Sequence, residues 1–97
     1  MSEGEAGGVT VELFGIARRR AGRDRIVVCQ GIAAPSLGEA LEEAGRRMPE
    51  LAAECLDGAR PRSGYLANVN AGHFTTDPTL MLAPGDHVLL LAADAGG

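Results

Sequence analysis

The sequence predicts an α+β domain in which one main helix packs across one face of a mixed sheet of four to five strands. Three observations carry that prediction. Two short stretches of strand character, 9–13 and 26–29, come first; one apolar stripe at helical spacing follows from 37 to 48; and the most apolar run, Val88-Leu89-Leu90-Leu91-Ala92-Ala93, comes last. With 97 residues and a hydrophobic fraction of 45%, the chain supports one core and no elaborate cleft besides it.

Val9-Thr10-Val11-Glu12-Leu13 alternates apolar and polar side chains, the period-two pattern of a strand buried on one face. Phe14 and Ile16 extend it with a change of phase. Arg18-Arg19-Arg20-Ala21-Gly22-Arg23-Asp24 reads as a polar turn, and Ile26-Val27-Val28-Cys29 as the returning strand of a hairpin. Ser36-Leu37-Gly38-Glu39 then carries a helix start signal, because the serine hydroxyl and the glutamate three residues on can satisfy each other's free backbone amides. Leu37, Ala40, Leu41, Ala44 and Met48 make one apolar face. On the other face Glu42 with Arg46 and Glu43 with Arg47 are i,i+4 pairs in the favourable order. Pro49 cannot continue the helical hydrogen-bond ladder, so the helix is expected to end there.

Leu51 to Leu56 suggests a short second helix stopped by Asp57-Gly58, and Ala59 to Gly64 an exposed loop. Tyr65 to Asn70 reads as a third strand, Ala71-Gly72 as a turn, and His73-Phe74 as the start of the return. Leu80-Met81-Leu82 suggests a short edge segment. Ala83-Pro84-Gly85-Asp86 places proline and glycine at the centre of a type II turn. The last strand, His87 to Ala93, is apolar on both faces and so belongs in the middle of the sheet. Hairpin, helix, strands and a final apolar strand is the order of the β-grasp, the ubiquitin-like α+β arrangement.

Composition removes several function classes. A formal net charge of −4 implies no basic face over the domain as a whole, which argues against nucleic acid as a partner. No stretch approaches the roughly 18 apolar residues of a membrane-spanning helix, and Met1 to Gly8 lacks the pattern of a signal peptide. A cytoplasmic location with no membrane partner is the expectation, with 1–8 a disordered leader, 9–93 the domain and 94–97 a flexible tail. Cys29 and Cys55 sit in no CxxC pattern, so both are expected to be small core hydrophobes, with no metal site. All nine basic residues are arginine, so the chain offers no lysine amine to accept an isopeptide bond.

The expected working part is Ala95-Gly96-Gly97. Glycine has no Cβ, so a Gly-Gly segment passes where any side chain would collide. Extended, Ala93 to Gly97 reaches on the order of 17 Å, far enough to enter another protein's active site from a rigid strand. The outward side chains of the final strand, Leu89 and Leu91 or else Val88 and Leu90, joined by Phe14, are expected to form an apolar partner surface. His73 and His87 lie at strand starts or turns without a nucleophile in triad order and are expected to be surface polar residues. The arginines at 18, 19, 20, 23 and 25 are read as a solvated hairpin turn, with docking to an acidic partner as the alternative.

Taken together, Val11-Glu12-Leu13-Phe14-Gly15-Ile16-Ala17-Arg18 with Ala21-Gly22, Leu66 to Phe74, Leu82-Ala83-Pro84-Gly85-Asp86-His87-Val88 and Gly96-Gly97 resemble the ubiquitin-like sulfur carriers, the MoaD/ThiS family. Within it, the resemblance is closest to the small subunit of molybdopterin synthase. It implies no enzyme and no bound cofactor. Gly97 would be adenylated with ATP by an E1-like enzyme of the MoeB/ThiF type and converted by a sulfurtransferase or other sulfur donor to a thiocarboxylate. Gly96 would keep the approach narrow. Phe14, Leu89, Leu91 and Ala95 would meet the partner, a molybdopterin synthase large subunit of the MoaE type or another sulfur-accepting enzyme. Ala92-Ala93-Asp94-Ala95 departs from the proline-containing lead-in of those subunits, which leaves thiazole, cysteine or secondary-metabolite pathways open as acceptors. Two readings outside the carriers also remain at the level of sequence: a ubiquitin-like modifier joined to target lysines through Gly97, and a passive interaction module.

Overall fold

The computed structural model describes residues 7–13 and 25–93. Phe14, the arginines at 18, 19, 20 and 23, most of the expected leader and the segment 94–97 lie outside the described residues. The elements in chain order are β1 (Val9–Leu13), β2 (Arg25–Val28), α1 (Leu37–Arg47), α2 (Pro49–Cys55), β3 (Leu56–Asp57), β4 (Arg60–Pro61), β5 (Tyr65–Val69), β6 (His73–Thr75) and β7 (His87–Ala92). Five strands form one sheet in the order β2-β1-β7-β5-β6, and β3 pairs with β4 separately. β1 and β2 are antiparallel, β1 and β7 parallel, and β5 is antiparallel to both β6 and β7. The final apolar strand is therefore the middle strand, as its two apolar faces require.

Alternation sets the two faces of the sheet. Val9, Val11 and Leu13, with Ile26 and Val28, Ala67 and Val69, and Val88 and Leu90, turn toward the helices and are buried. They meet the helical stripe Leu37, Ala40, Leu41, Ala44 and Met48, together with Leu51 and Cys55 of α2. The helix begins as its start signal dictates: Glu39 N donates to Ser36 Oγ at 3.1 Å and Ser36 N to Glu39 Oε1 at 2.8 Å. Its first turn docks on the 78–80 segment, with Leu37 N to Leu80 O and Gly38 N to Pro78 O both at 2.8 Å. A Cβ on Gly38 would lie 3.1 Å from Pro78 and 3.2 Å from Ala59, so this glycine, unfavourable for the helix alone, permits the close approach.

The helix is also tied to the sheet edge. Glu43 Oε1 accepts from Cys29 N at 2.9 Å, and Arg47 Nη1 reaches both Val27 O at 2.9 Å and Glu43 Oε2 at 3.3 Å. That carboxylate holds the backbone of Cys29 at a φ of 58°, a left-handed value that a non-glycine residue adopts only when it is held. The arginine covers a carbonyl on an edge strand that would otherwise be open to pairing.

The first helix ends before Pro49 as expected, and Pro49 starts α2 at its first position, where a missing N–H costs nothing. Three local expectations are revised. The expected exposed loop after 58 contains the β3–β4 pair, Leu56 with Pro61 and Asp57 with Arg60. The turn after β5 centres on Asn70 and Ala71, with φ of 54° and 63° and Gly72 N bonded to Val69 O at 3.1 Å; both central residues are left-handed, as a tight turn matching the sheet twist requires. Finally, 80–82 is not a sheet strand: Met81 makes only an isolated bridge to Ser36. The type II turn is formed as expected, with Asp86 N to Ala83 O at 3.0 Å and Gly85 at φ 94°.

Candidate functional site

The strand that leads toward Gly96 and Gly97 is held on both sides. β7 is paired with β1 from Thr10–His87 to Leu13–Leu90 and with β5 from Val69–Val88 to Tyr65–Ala92. At its end Ala93 N donates to Gly64 O at 2.7 Å. Tyr65, beside Ala92, is fixed in turn by its hydroxyl, which donates to Glu54 Oε2 of α2 at 3.0 Å. Burial pushes the Tyr65 hydroxyl up to about 12 and the neighbouring Cys55 thiol up to about 11. The end of β7 is thus held by backbone hydrogen bonds and by a desolvated tyrosine hydroxyl bonded to the Glu54 carboxylate. Ala95, Gly96 and Gly97 lie outside the described residues, as does Phe14.

The start of β7 is fixed by a polar cluster that the sequence shows only in fragments. Asn70 Oδ1 accepts from His87 N at 2.9 Å while its Nδ2 donates to Asp86 Oδ1 at 3.1 Å. Asp86 Oδ2 accepts from Ala83 N at 2.9 Å, so one carboxylate closes the turn and ties it to the β5–β6 turn. His87 Nε2 and Glu12 Oε1 are 2.7 Å apart, and Arg25 lies 3.7 Å from the other Glu12 oxygen. From sequence alone His87 is an isolated surface residue, because the partner lies 75 positions away and only the parallel pairing of β1 with β7 brings them together. His73 is exposed on β6, away from that cluster.

Leu89 and Leu91 lie on the sheet face turned away from the helices, opposite Asn68 and Leu66 of β5. Leu89 is half-buried and Leu91 is buried. The same face carries Phe74, 54% exposed, and Val27, 37% exposed. The registers line up one row of side chains across all five strands: Arg25, Glu12, Leu89, Asn68, Phe74. A cavity of about 310 Å³ opens on this face, lined by Glu12, Asn68, Asn70, Ala71, His87 and Leu89. A second depression, of about 430 Å³, lies on the helical side between Leu41, Gly45, Ala52 and Leu56; no side chain expected to act lines it.

Cys29 and Cys55 are buried free thiols. Burial, with Glu43 and Glu39 adding to it, pushes the Cys29 thiol up as well, the opposite of what a nucleophilic cysteine needs. Among the described residues no group of three or more His, Cys, Asp or Glu side chains could hold a metal ion, and no helix is long and apolar enough to cross a membrane.

Comparison of whole structures places this architecture among known ones. SAMP1 from Haloferax volcanii superposes with a TM-score of 0.73 over 92% of this chain and 98% of that chain, at 21% identity. A second structure, of the H. volcanii small archaeal modifier protein 1, gives 0.71 over 84% and 92% at 20% identity. A chain of the Amycolatopsis orientalis BexX/CysO complex gives 0.71 over 93% and 100% at 19% identity. The fold is the β-grasp. No family model and no curated protein matches the sequence, so the likeness is one of structure.

Proposed function

We infer that this protein is a ubiquitin-like sulfur carrier whose reactive group is the carboxylate of Gly97. The observation that carries the reading is the placement of β7: the middle strand of the sheet, paired on both sides and held through Ala93, runs directly toward Ala95-Gly96-Gly97. A rigid base and a tether that ends in two residues without side chains are what delivery into a partner's narrow active site demands. Support also comes from the fold shared with a small archaeal modifier protein and with a chain of the BexX/CysO complex.

A carboxylate is a poor electrophile, so the chemistry begins by giving it a leaving group. An E1-like adenylating enzyme of the MoeB/ThiF type would join the Gly97 carboxylate to the α-phosphate of ATP, releasing pyrophosphate. Sulfur at the sulfide level, from a sulfurtransferase or other donor, then attacks the acyl carbon and expels AMP. The thiocarboxylate that remains is a soft nucleophile at the end of a thin tether. Gly96 keeps that tether narrow, and Leu89, Leu91, Phe14 and Ala95 supply contacts to the receiving enzyme. The acceptor in this reading is a molybdopterin synthase large subunit of the MoaE type, making the pathway molybdenum cofactor biosynthesis.

A second reading is favoured by the likeness to the H. volcanii modifier: the activated Gly97 is attacked by an amine of a target protein instead of by sulfur. Incubation with an E1-like adenylating enzyme from the same organism, ATP and a sulfur source, followed by intact-mass measurement, separates the two. Exchange of one oxygen for sulfur supports the carrier; adducts with other proteins support the modifier. An unchanged mass while the same enzyme activates another carrier would overturn both.

A further inference from the structure

The outer sheet face holds a buried polar group that no side chain or backbone group among the described residues meets. Asn68 is 7% exposed, sits in the cavity of about 310 Å³, and faces outward because its cross-strand neighbours there are Leu89 on one side and Phe74 on the other. Among the described residues no side chain or backbone group hydrogen-bonds to its carboxamide. Its neighbours in the cavity are already engaged: Asn70 with Asp86 and His87, and His87 with Glu12. Buried carboxamides are ordinarily satisfied within the fold, and among the described residues none meets this one. A leucine or valine would fit the apolar walls on either side, so the polar residue marks a demand made from outside.

We propose that the Asn68 cavity is a recognition site for an extended, uncharged peptide segment of a partner protein, one main-chain peptide unit of which pairs side-on with the Asn68 carboxamide. A carboxamide presents a donor and an acceptor in one plane, and a peptide unit presents the complementary two; a carboxylate or an ammonium satisfies one and leaves the other buried. Leu89 and the exposed ring of Phe74 flank the amide and receive apolar side chains of the same segment. The Glu12–Arg25–His87 cluster closes the row with its charges already paired, so the site asks for no charge in its ligand. A second copy of this chain is the weaker occupant on area. Five strands at ~4.8 Å spacing and ~3.4 Å per residue make a face on the order of 400 Å², about half of the ~800 Å² per partner that a stable interface buries. A single extended strand needs no more than that.

The inference stands apart from the chemistry at Gly97, and its test uses the whole chain without activation. The probe is the blocked peptide acetyl-Leu-Gly-Leu-N-methylamide at millimolar concentration, read by nuclear magnetic resonance at the Asn68 side-chain amide and the Phe74 ring. A saturable shift at both is expected. The same peptide methylated at its central amide nitrogen, which removes the donor, should bind about tenfold more weakly or worse, and Asn68→Leu should lose the methylation sensitivity while keeping its fold. The thermal midpoint of the free Asn68→Leu protein should rise, because an amide kept for a partner contributes nothing to the isolated domain. Equal binding of both peptides, or no saturable shift at Asn68, overturns the proposal. So does a fall in that midpoint, which would show the amide bonded within its own fold, or a shift at the same groups on raising the protein concentration alone, which would make a second copy the occupant.

Discussion

Replacing Asn70 tests how β7 is held at its start. Asn70→Ala removes two hydrogen bonds, from His87 N at 2.9 Å and to Asp86 Oδ1 at 3.1 Å. Both are exposed, so each contributes about 0.5 to 1 kcal/mol. Alanine must also take over a φ of 54°, where asparagine is tolerated and a simple Cβ costs about 1 kcal/mol or more. The sum is about 2 to 3 kcal/mol, or about 10 to 20 °C in the midpoint of a domain of this size. Asn70→Asp divides the contributions. It keeps the left-handed tolerance and the acceptor for His87 N, but sets a second carboxylate against Asp86. That repulsion raises the new group's folded pKa above its unfolded value, so the folded state binds more protons and stability falls as pH rises through the carboxylate range. The deficit of Asn70→Asp relative to wild type should therefore be larger at pH 7 than at pH 4. Urea unfolding at both values is the assay. A cost below about 0.5 kcal/mol for Asn70→Ala, or a pH-independent deficit for Asn70→Asp, would refute the assignment of Asn70 as the clamp.

Three further outcomes follow from the same structure. Leu41→Ala, fully buried against the sheet, should cost about 2 to 5 kcal/mol in chemical unfolding, whereas a negligible cost would separate the helix from the core. Ala71→Gly relieves a non-glycine φ of 63° and, after the entropy that glycine loses on folding, should raise stability by about 0.5 to 1 kcal/mol; a loss would mean the turn is not strained. Burial that pushes Cys55 up to about 11 and Tyr65 up to about 12 keeps both protonated in the folded state at pH values where the unfolded chain has released them. Stability from these groups is thus fully present below about pH 8 and is lost as pH rises through about 11 to 12, and native-state alkylation of either cysteine at pH 8 should await unfolding.

The elements were legible where a local rule decides them. The helix start at Ser36 follows from a reciprocal bond three residues long, and Pro84-Gly85 can form little but the turn it forms. The central place of β7 was legible because Val88 to Ala92 offers no polar face. Long-range register was not. Glu12 and His87 meet only because β1 and β7 run parallel, and Asn68 reaches the outer cavity only through the rows that set Leu89 and Phe74 beside it. Asn70 read as a strand residue because its hydrogen-bond partners, Asp86 and His87, lie in a turn that packs against it from a distant part of the chain. β3 and β4 were invisible for a different reason: strands this short, one containing Pro61, exist because α2 delivers Leu56 into the core, and no local pattern announces them.

Gly97 is proposed as the atom-transferring end of the molecule. Tandem mass spectrometry of the peptide that follows Arg62, taken after activation with ATP and a sulfur source, reads it directly. Replacement of one oxygen by sulfur at Gly97 is expected, absent from Gly97→Ala, whose thermal midpoint stays at the wild-type value. Gly97 unchanged, with sulfur found instead on the peptides that carry Cys29 or Cys55, would contradict it.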